Sequence, residues 1–276
     1  MNPFMIRNIV KRALEEDLGT GDITSDSILT ENFKTSAVFL VKSPGVIAGL
    51  PVVAEVCRQI DPQLDFTSLV KDGVAVSNGD QIATVSGPVK SILAGERVAL
   101  NFLQRLSGIA TKTAYMVKLV AGYPVKVVDT RKTTPGLRIL EKYAVLQGGG
   151  HNHRFNLADA VLIKDNHIAA CGSIMEAVKR ARATVPHTMT IEVEVEDEIQ
   201  VREALEAKAD IIMLDNMPPA QMEAMVRLIN GRAVVEASGN INESTIREVA
   251  ATRVDIISIG SITHSVTALD ISLDIC

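Results

Sequence analysis

The sequence has few cysteines, no long apolar run and no excess of positive charge. Its three cysteines, Cys57, Cys171 and Cys276, are far apart and form no CxxC pair, so neither a disulfide framework nor a zinc site is indicated and a reducing, cytoplasmic setting is predicted. No apolar run could span a bilayer, and the amino-terminal segment lacks the core of a signal peptide, which predicts a soluble protein without membrane contact. The formal net charge of -5 argues against a general nucleic-acid surface.

The first part of the chain has the pattern of an α+β domain. Its 276 residues with 47% hydrophobic content can bury one large or two modest cores. The start reads as an amphipathic helix, and residues 34–95 alternate strand-like stretches with turns and one helical run. We expect strands near 36–41, 66–70, 81–87 and 89–95. A long helix is predicted over 96–122, with a bend near Ser107 and Gly108.

The second part alternates strands and helices, which is typical of right-handed βαβ units and a parallel sheet. Since six such units are fewer than the eight of a closed barrel, we predict an open, incomplete α/β barrel of about six parallel strands. The predicted domains are residues 1–110 and the barrel 111–265, with the tail 266–276 packing back on the first domain as an edge strand. The strands are expected near 125–129, 159–163, 190–195, 211–215, 233–236 and 255–259.

Several of these strands end on a cation. Arg131 and Lys132 follow the first strand, His153 and Arg154 follow three glycines, and Lys164 ends an apolar strand. Guanidinium and ammonium groups together can hold one anionic ligand, and a lysine after a buried strand needs a partner or a ligand. A solvated basic turn is the alternative for the first pair. A metal site using His151 with His153 is a weaker alternative, because no acidic or cysteine ligand follows at a suitable spacing.

Carboxylates occupy the neighbouring strands. Glu192 and Glu194 share a strand face, and Asp215 ends the next strand. Carboxylates among cations suit two roles, which are holding Mg²⁺ and stabilising positive charge that develops on a substrate carbon. Alternatively, they only neutralise Lys132 and Lys164.

Two turns of small residues follow the last two strands. Ser238, Gly239 and Asn240 form the first, and the second starts at Gly260 and Ser261 and runs to Ser265. Backbone N–H groups exposed by glycine at this end of a barrel make a phosphate cradle. A ligand with a phosphate at one end, further anionic groups at the other and a carbon that becomes cationic between them fits this set. The donor 5-phosphoribosyl 1-pyrophosphate has that structure.

Long motifs, in order along nearly the whole chain, resemble quinolinate phosphoribosyltransferase, also called carboxylating nicotinate-nucleotide pyrophosphorylase. The resemblance is carried by LGTGDITSD (18–26), GERVALNFLQRLSGIAT (95–111), DTRKTTPGLR (129–138), GGGHNHRFNLADAVLIKDNH (148–167), EVEVE (192–196), MLDNM (213–217), EASGNI (236–241) and SIGSITHS (258–265).

The resemblance implies an amino-terminal α/β sandwich, an open α/β barrel and a homodimer whose subunits share active sites, with a higher oligomer left open. The implied reaction joins quinolinate to the phosphoribosyl donor with Mg²⁺ and yields nicotinate mononucleotide, CO₂ and pyrophosphate in NAD biosynthesis. Mg²⁺ would bind mainly through pyrophosphate, with Glu194 and Asp215 as candidate ligands. By the resemblance, Arg131, His153 and Arg154, with Arg97 of the partner subunit, would bind the quinolinate carboxylates, and Lys132 and Lys164 would face quinolinate and pyrophosphate. Glu194 and Asp215 would face the ribose. Contacts to the 5-phosphate would come from Ser238, Gly239, Gly260 and His264.

Three other functions remain open at this stage. A family relative that uses nicotinate or serves molybdenum uptake would share the fold, although the complete cationic set favours a dicarboxylate. A Schiff-base aldolase on a barrel could use Lys132 or Lys164 as its nucleophile. A phosphometabolite-binding protein without catalysis is the third.

Overall fold

The computed structural model describes residues 3–30 and 33–276. The chain forms two compact units. Unit 1 comprises Met1–Ala114, Thr133–Gly149 and Ile262–Cys276, and unit 2 comprises Tyr115–Lys132 and Gly150–Ser261. Compared with the predicted division at residue 110, unit 1 also takes in the segment 133–149, which contains a helix.

Unit 1 is built around an antiparallel sheet. Its strands are β1 (Lys34–Val41), β2 (Gly45–Val46), β3 (Asp65–Ser68), β4 (Ala75–Val76), β5 (Gln81–Pro88) and β12 (Ile271–Ile275). The main sheet has the order β12-β1-β5-β3, and β2 pairs with β4. The tail strand β12 lies at the edge and pairs antiparallel with β1, from Ala37 opposite Ile275 to Val41 opposite Ile271.

Helices cover this unit with their apolar sides. They are α1 (Pro3–Leu18), α2 (Ile23–Ile28), α3 (Leu50–Ile60), α4 (Val89–Leu119), whose last residues belong to unit 2, α5 (Arg138–Gln147) and α11 (Ser261–His264), whose first residue does. The four-residue spacing of Ile6, Val10 and Leu14 puts these buried side chains on one face of α1. The predicted helix began at Met1, but Met1 and Asn2 lie outside the described residues.

The strand predicted over 89–95 is wrong, because these residues form the first turns of α4. Val89 and Ile92 are both buried, and their spacing of three is helical. The helix also continues through the predicted bend. There, Ser107 Oγ accepts a hydrogen bond from Ala48 N at 3.0 Å, and a Cβ on Gly108 would lie 2.2 Å from the Thr267 carbonyl oxygen. The small residues therefore serve close packing inside unit 1.

Unit 2 contains the six-stranded parallel sheet that the sequence predicts. Its strands are β6 (Lys126–Val128), β7 (Val161–Ile163), β8 (Ile191–Val195), β9 (Ile211–Asp215), β10 (Val234–Ser238) and β11 (Ile256–Ser258), and its helices are α6 (Asp165–Cys171), α7 (Ile174–Thr184), α8 (Glu198–Glu206), α9 (Pro219–Ile229) and α10 (Ile246–Ala251). The order is β6-β11-β10-β9-β8-β7, so β6 and β7 are the edges of an open sheet. A single parallel bridge joins Val128 on β6 to His151.

Side chains alternate along these strands between an apolar core face and a face that carries polar groups. Ile191, Val193 and Val195 are buried on one face of β8, whereas Glu192 and Glu194 occupy the other. Within residues 3–30 and 33–276, no helix combines the length and the apolar character that crossing a bilayer requires.

Candidate active site

A cavity of about 570 Å³ opens at the carboxyl ends of the parallel strands in unit 2. Its lining includes Leu162 and Lys164, Met213 and Asp215, and Glu236 and Ser238. Each pair lies on one strand or at its end with a spacing of two, so alternation directs both members to the same face. A cavity of this volume at this edge of the sheet is typical of a small-molecule site.

The structure brings most of the predicted site residues to this one cavity. Ten of them line it, and they are Arg131, Lys132, His153, Arg154, Lys164, Glu194, Asp215, Ser238, Gly239 and Asn240. Gly260 and Ser261 follow β11 in the same unit but are not among its lining residues. Arg97 and His264 are exposed residues of unit 1, and their roles remain predictions.

One buried carboxylate positions the loops that carry Arg131, Lys132 and Arg154, which together form the cationic wall of the cavity. Asp129 follows β6, is 0% exposed and accepts hydrogen bonds from Asn152 Nδ2 at 2.6 Å and His153 N at 2.9 Å. The same carboxylate thus fixes the start of the turn that carries Arg131 and the loop that carries Arg154. A buried carboxylate that accepts two hydrogen bonds holds the loop of residues 152–154 firmly.

The two arginines stand close enough to repel each other. Burial and the positive charge of Arg131 lower the pKa of Arg154, whereas the charges of Glu192 and Asp159 oppose that shift. The Arg154 Nη1 group donates to the Ala160 carbonyl oxygen at 3.0 Å, which orients the guanidinium. Two guanidiniums on one cavity wall can share an anionic ligand, and a dicarboxylate fits such a pair.

Lys164 has the partner that its position demanded. Its Nζ forms an ion pair with Glu194 Oε2, and the Glu194 side chain is 17% exposed against 44% for Lys164. The pair lies at the cavity wall. For Lys164, the pair agrees with the alternative that the acids neutralise the lysines. Because Lys164 is also partly exposed at the cavity, it could contact an anionic ligand as well.

Asn216 joins the acid of β9 to the turn after β10. Its Nδ2 donates to Asp215 Oδ2 at 2.7 Å, and its Oδ1 accepts from Asn240 Nδ2 at 2.9 Å. Asn216 has a left-handed φ of 53° and Gly239 one of 94°. A Cβ on Gly239 would lie 2.3 Å from Asn216 Oδ1, so only glycine lets the two turns meet.

A buried cluster joins His153 and Glu236, which line the cavity, to Glu192, which does not. His153 Nε2 is 3.3 Å from Glu192 Oε2 and 3.6 Å from Glu236 Oε1. Both glutamates are almost fully buried, at 2% and 1% exposure. Burial, and next the Glu192 charge, raise the pKa of Glu236 to about 7, against the effects of His153 and the Ser258 hydroxyl.

These three side chains are the ones that could supply metal ligands within the described part of the chain. The cluster contains His153 but not His151, so the predicted histidine pair does not form. Instead, each ring nitrogen of His153 has a partner inside the protein, since Nδ1 accepts from Arg154 N at 2.7 Å. His153 also lines the cavity, and its contact with a substrate carboxylate stays a prediction.

Sequence reasoning did not assign Asp129, Asn216 or Glu236 to the site. The signal for Glu236 was present, because it precedes Ser238 by two residues on one strand and must share its face. The signal for Asn216 was an asparagine directly after a strand, a residue type that tolerates left-handed backbone. No local pattern reveals that Asp129 spans two loops.

Comparisons with known proteins cover both units. Residues 22–107 match the model of the quinolinate phosphoribosyl transferase N-terminal domain, and residues 109–274 match that of the C-terminal domain. A probable nicotinate-nucleotide pyrophosphorylase [carboxylating] from Bacillus subtilis is 47% identical over 275 residues, which are 100% of this chain and 95% of the relative.

Solved structures give the same result. The nicotinate-nucleotide pyrophosphorylase from Francisella tularensis has a TM-score of 0.96 and 40% identity, with 100% of this chain and 98% of that chain covered. NadC from Streptococcus pyogenes has a TM-score of 0.96 and 46% identity, with 99% and 97% covered.

Proposed function

The chain belongs to the quinolinate phosphoribosyltransferase family, and we propose that it is a carboxylating nicotinate-nucleotide diphosphorylase, a phosphoribosyltransferase of NAD biosynthesis. It transfers the phosphoribosyl group of 5-phosphoribosyl 1-pyrophosphate to quinolinate. The products are nicotinate mononucleotide, CO₂ and pyrophosphate. The observation that carries this proposal is one cavity with a cationic wall, carboxylates and a glycine turn, all in unit 2.

The cationic wall selects a dicarboxylate. Arg131 and Arg154 repel each other, and Lys132 lines the same cavity. A ligand with two adjacent carboxylates relieves this repulsion, whereas nicotinate, with one, relieves less of it. We assign the quinolinate carboxylates to Arg131 and Arg154, and we assign His153 to the support of Arg154 because Arg154 N donates to its ring.

The carboxylates serve the ribose. When the bond from ribose C1 to pyrophosphate breaks, the leaving oxygen keeps the electron pair and C1 becomes cationic. Glu194 and Asp215 face the cavity and stabilise that charge, while the quinolinate ring nitrogen forms the new bond to C1. Lys164 can turn from Glu194 to pyrophosphate as the leaving group gains charge, and this exchange leaves Glu194 more negative at that moment.

Decarboxylation follows from the same bond. Once the ring nitrogen is bound to ribose, the ring is a pyridinium. When the adjacent carboxylate departs as CO₂, the electron pair of the broken bond stays on C2, where the neighbouring positive nitrogen stabilises it. C2 then takes a proton from solvent. The protein needs only to orient the departing carboxylate and to limit its contact with water, and we assign its orientation to Arg154.

Among the carboxylates of the cavity, Asp215 is the one best suited to bind Mg²⁺. Glu194 is committed to Lys164, whereas Asp215 has one oxygen bound by Asn216 and lines the cavity. Mg²⁺ is commonly held by one or two carboxylates together with phosphate oxygens, so Asp215 and the pyrophosphate would hold it. When bound, the ion neutralises charge on the leaving pyrophosphate.

The 5-phosphate fits the turn after β10. Ser238, Gly239 and Asn240 offer backbone N–H groups and a hydroxyl at the cavity rim. We extend this cradle to Gly260, Ser261 and His264, whose participation is a prediction from their motif.

The remaining features of the proposal concern assembly and location. We propose a homodimer in which Arg97 of the partner subunit completes the quinolinate site, and a cytoplasmic protein without nucleic-acid or membrane partners. The three free cysteines are in keeping with a reducing compartment. The Schiff-base alternative is disfavoured for Lys164, because the nucleophile must be a neutral amine and Lys164 forms an ion pair with Glu194. For Lys132 the borohydride test decides.

The test is the release of label from carboxyl-labelled quinolinate in the presence of Mg²⁺ and the phosphoribosyl donor. Lys132→Ala or Arg131→Ala should abolish most release, and Lys126→Ala, an exposed cation at the other end of β6, should not. Without the donor no label should appear, because the pyridinium is required. Release without the donor, or equal turnover of nicotinate, would contradict the proposal, and borohydride trapping of a lysine adduct would favour the aldolase.

A further inference from the structure

The buried cluster of His153, Glu192 and Glu236 is not explained by substrate binding alone. The three side chains come from a loop, β8 and β10, and one ligand atom from each lies within 4.8 Å of the others. Oε1 of each glutamate is buried with no hydrogen-bond partner. Leaving two such oxygens unsatisfied and two carboxylates charged at this distance would be costly.

The ring of His153 reveals its protonation state. Nδ1 lies 2.7 Å from Arg154 N and accepts its hydrogen, so Nδ1 carries no proton of its own. The proton of a neutral imidazole is then on Nε2, which faces Glu192 Oε2 at 3.3 Å. His153 is thus a neutral donor to Glu192. A charged ring would lower the pKa of Glu236, whereas the neutral ring that the Nδ1 contact indicates leaves the second carboxylate without a counter-charge.

We propose that Glu236 is protonated and shares its proton with Glu192, and that this pair, acting through His153, forms a positioning group that fixes the Arg154 guanidinium for quinolinate. The functional part of this proposal rests on the proposed phosphoribosyl transfer to quinolinate. A shared proton supplies a donor to a cluster whose buried carboxylate oxygens have none, and it leaves one negative charge there. Glu192, His153 and Glu236 are positioning residues here, because they act through Arg154.

A divalent metal ion is the competing occupant of the same three side chains. To bind a metal, Nε2 would have to give up its proton, which would then reside on Nδ1. Nδ1 could no longer accept from Arg154 N, and the two hydrogens would clash at 2.7 Å. The observed contact therefore favours the proton.

The groups that face Glu236 determine how readily its carboxyl loses its proton. β8 contributes Glu192, the loop contributes His153, and β11 contributes the uncharged Ser258 hydroxyl. On the intervening strand, Met213 lies in register with Glu236 and adds no charge. Glu194, at the same level on β8, is neutralised by Lys164. Loss of the proton thus adds one negative charge beside Glu192 and His153, at a side chain that lines the cavity.

That charge should weaken quinolinate binding above pH 7. The pKa of Glu236 is raised to about 7, so the proton is present at pH 6 and absent at pH 8.5. We expect the KM for quinolinate to rise about fivefold across this range, with a smaller change in kcat, because the new charge opposes a dianion. Glu236→Gln should remove the rise, and Glu192→Gln should move it to lower pH, since the Glu192 charge raises the pKa of Glu236.

The first experiment reads the tautomer without requiring turnover. The protein is labelled with ¹⁵N-histidine, and the five histidines are observed by NMR from pH 6 to 8.5, with His153 assigned by its loss in His153→Gln and by its shift in Glu236→Gln. We expect an Nε2–H tautomer with unprotonated Nδ1. An imidazolium, or an Nδ1–H tautomer either alone or on addition of Mg²⁺, Mn²⁺ or Zn²⁺, would overturn the proposal.

The second experiment is the pH dependence of KM and kcat in the wild type, Glu236→Gln and Glu192→Gln. A role in folding alone would lower activity at every pH without moving the break, and that result would overturn the positioning role. If the protein does not turn over quinolinate at all, the proposed function fails, whereas the NMR result still decides the protonation state of His153 on which the shared proton depends. The two failures are therefore distinguishable.

Discussion

Replacing Glu236 by glutamine should make the folded protein less sensitive to rising pH. Glutamine has the shape of a protonated glutamate and keeps a carbonyl and a donor, but it cannot lose a proton. The Glu236 side chain is almost fully buried beside Glu192, so its charged form has neither water nor a full counter-charge. The variant therefore isolates what ionisation of this one group costs the fold.

The sign and size follow from the pKa. The folded protein holds the Glu236 proton more tightly than the unfolded chain, since its pKa is about 7 against a usual 4.5. The stability that this group contributes is complete below the unfolded pKa and is lost as pH rises through the folded one. The full loss is about 3 kcal/mol, of which about 2 kcal/mol falls between pH 5.5 and 8.

The assay is equilibrium urea unfolding at pH 5.5 and pH 8, followed by far-UV circular dichroism because the chain has no tryptophan. Protein concentration is kept constant, since assembly would change apparent stability. The free energy of unfolding of Glu236→Gln, relative to the wild type, should increase by about 2 kcal/mol between the two pH values. The exposed Glu248→Gln on α10 is the control and should show no such change. A pH-independent difference for Glu236→Gln would refute the reasoning.

Three further predictions concern the cavity. Gly239→Ala should raise the KM for the phosphoribosyl donor and destabilise the fold by about 1–3 kcal/mol in urea unfolding, because its Cβ would meet Asn216 Oδ1 and its φ is +94°; unchanged values would contradict the close approach. Asn216→Ala should lower kcat about tenfold in the label-release assay by loosening Asp215, whereas Asn230→Ala, which also has a left-handed φ, should lower stability alone. Lys164→Ala should lower kcat by about 100-fold or more, and a comparable rate would remove this cation from the site.

Regular patterns made the parallel sheet predictable. All six strands of unit 2 fall within about two residues of their predicted positions, since short apolar runs between helical segments leave few other arrangements. The strand predicted at 89–95 failed because apolar and glycine residues at Val89, Ile92 and Gly95 suit either a strand or a helix at that length. Only burial in unit 1 decides between them.

The convergence of the site was predictable, but its internal bonding was not. The carboxyl ends of parallel strands must meet, so Arg131, Lys164 and Asp215 could be grouped from sequence. By contrast, the His153 ring is oriented towards the buried glutamates by a hydrogen bond from the Arg154 backbone and by its contact with Glu236 on β10. Such contacts arise from tertiary geometry and leave no local sequence signal.

The central claim is that these side chains form one binding site with a cationic wall and a phosphate cradle. A crystal structure with quinolinate and a non-reacting analogue of the phosphoribosyl donor tests it most directly. The account predicts that the quinolinate carboxylates contact Arg131 and Arg154 and that the 5-phosphate accepts hydrogen bonds from the turn 238–240. Quinolinate bound away from both arginines, or the phosphate outside that turn, would contradict the account.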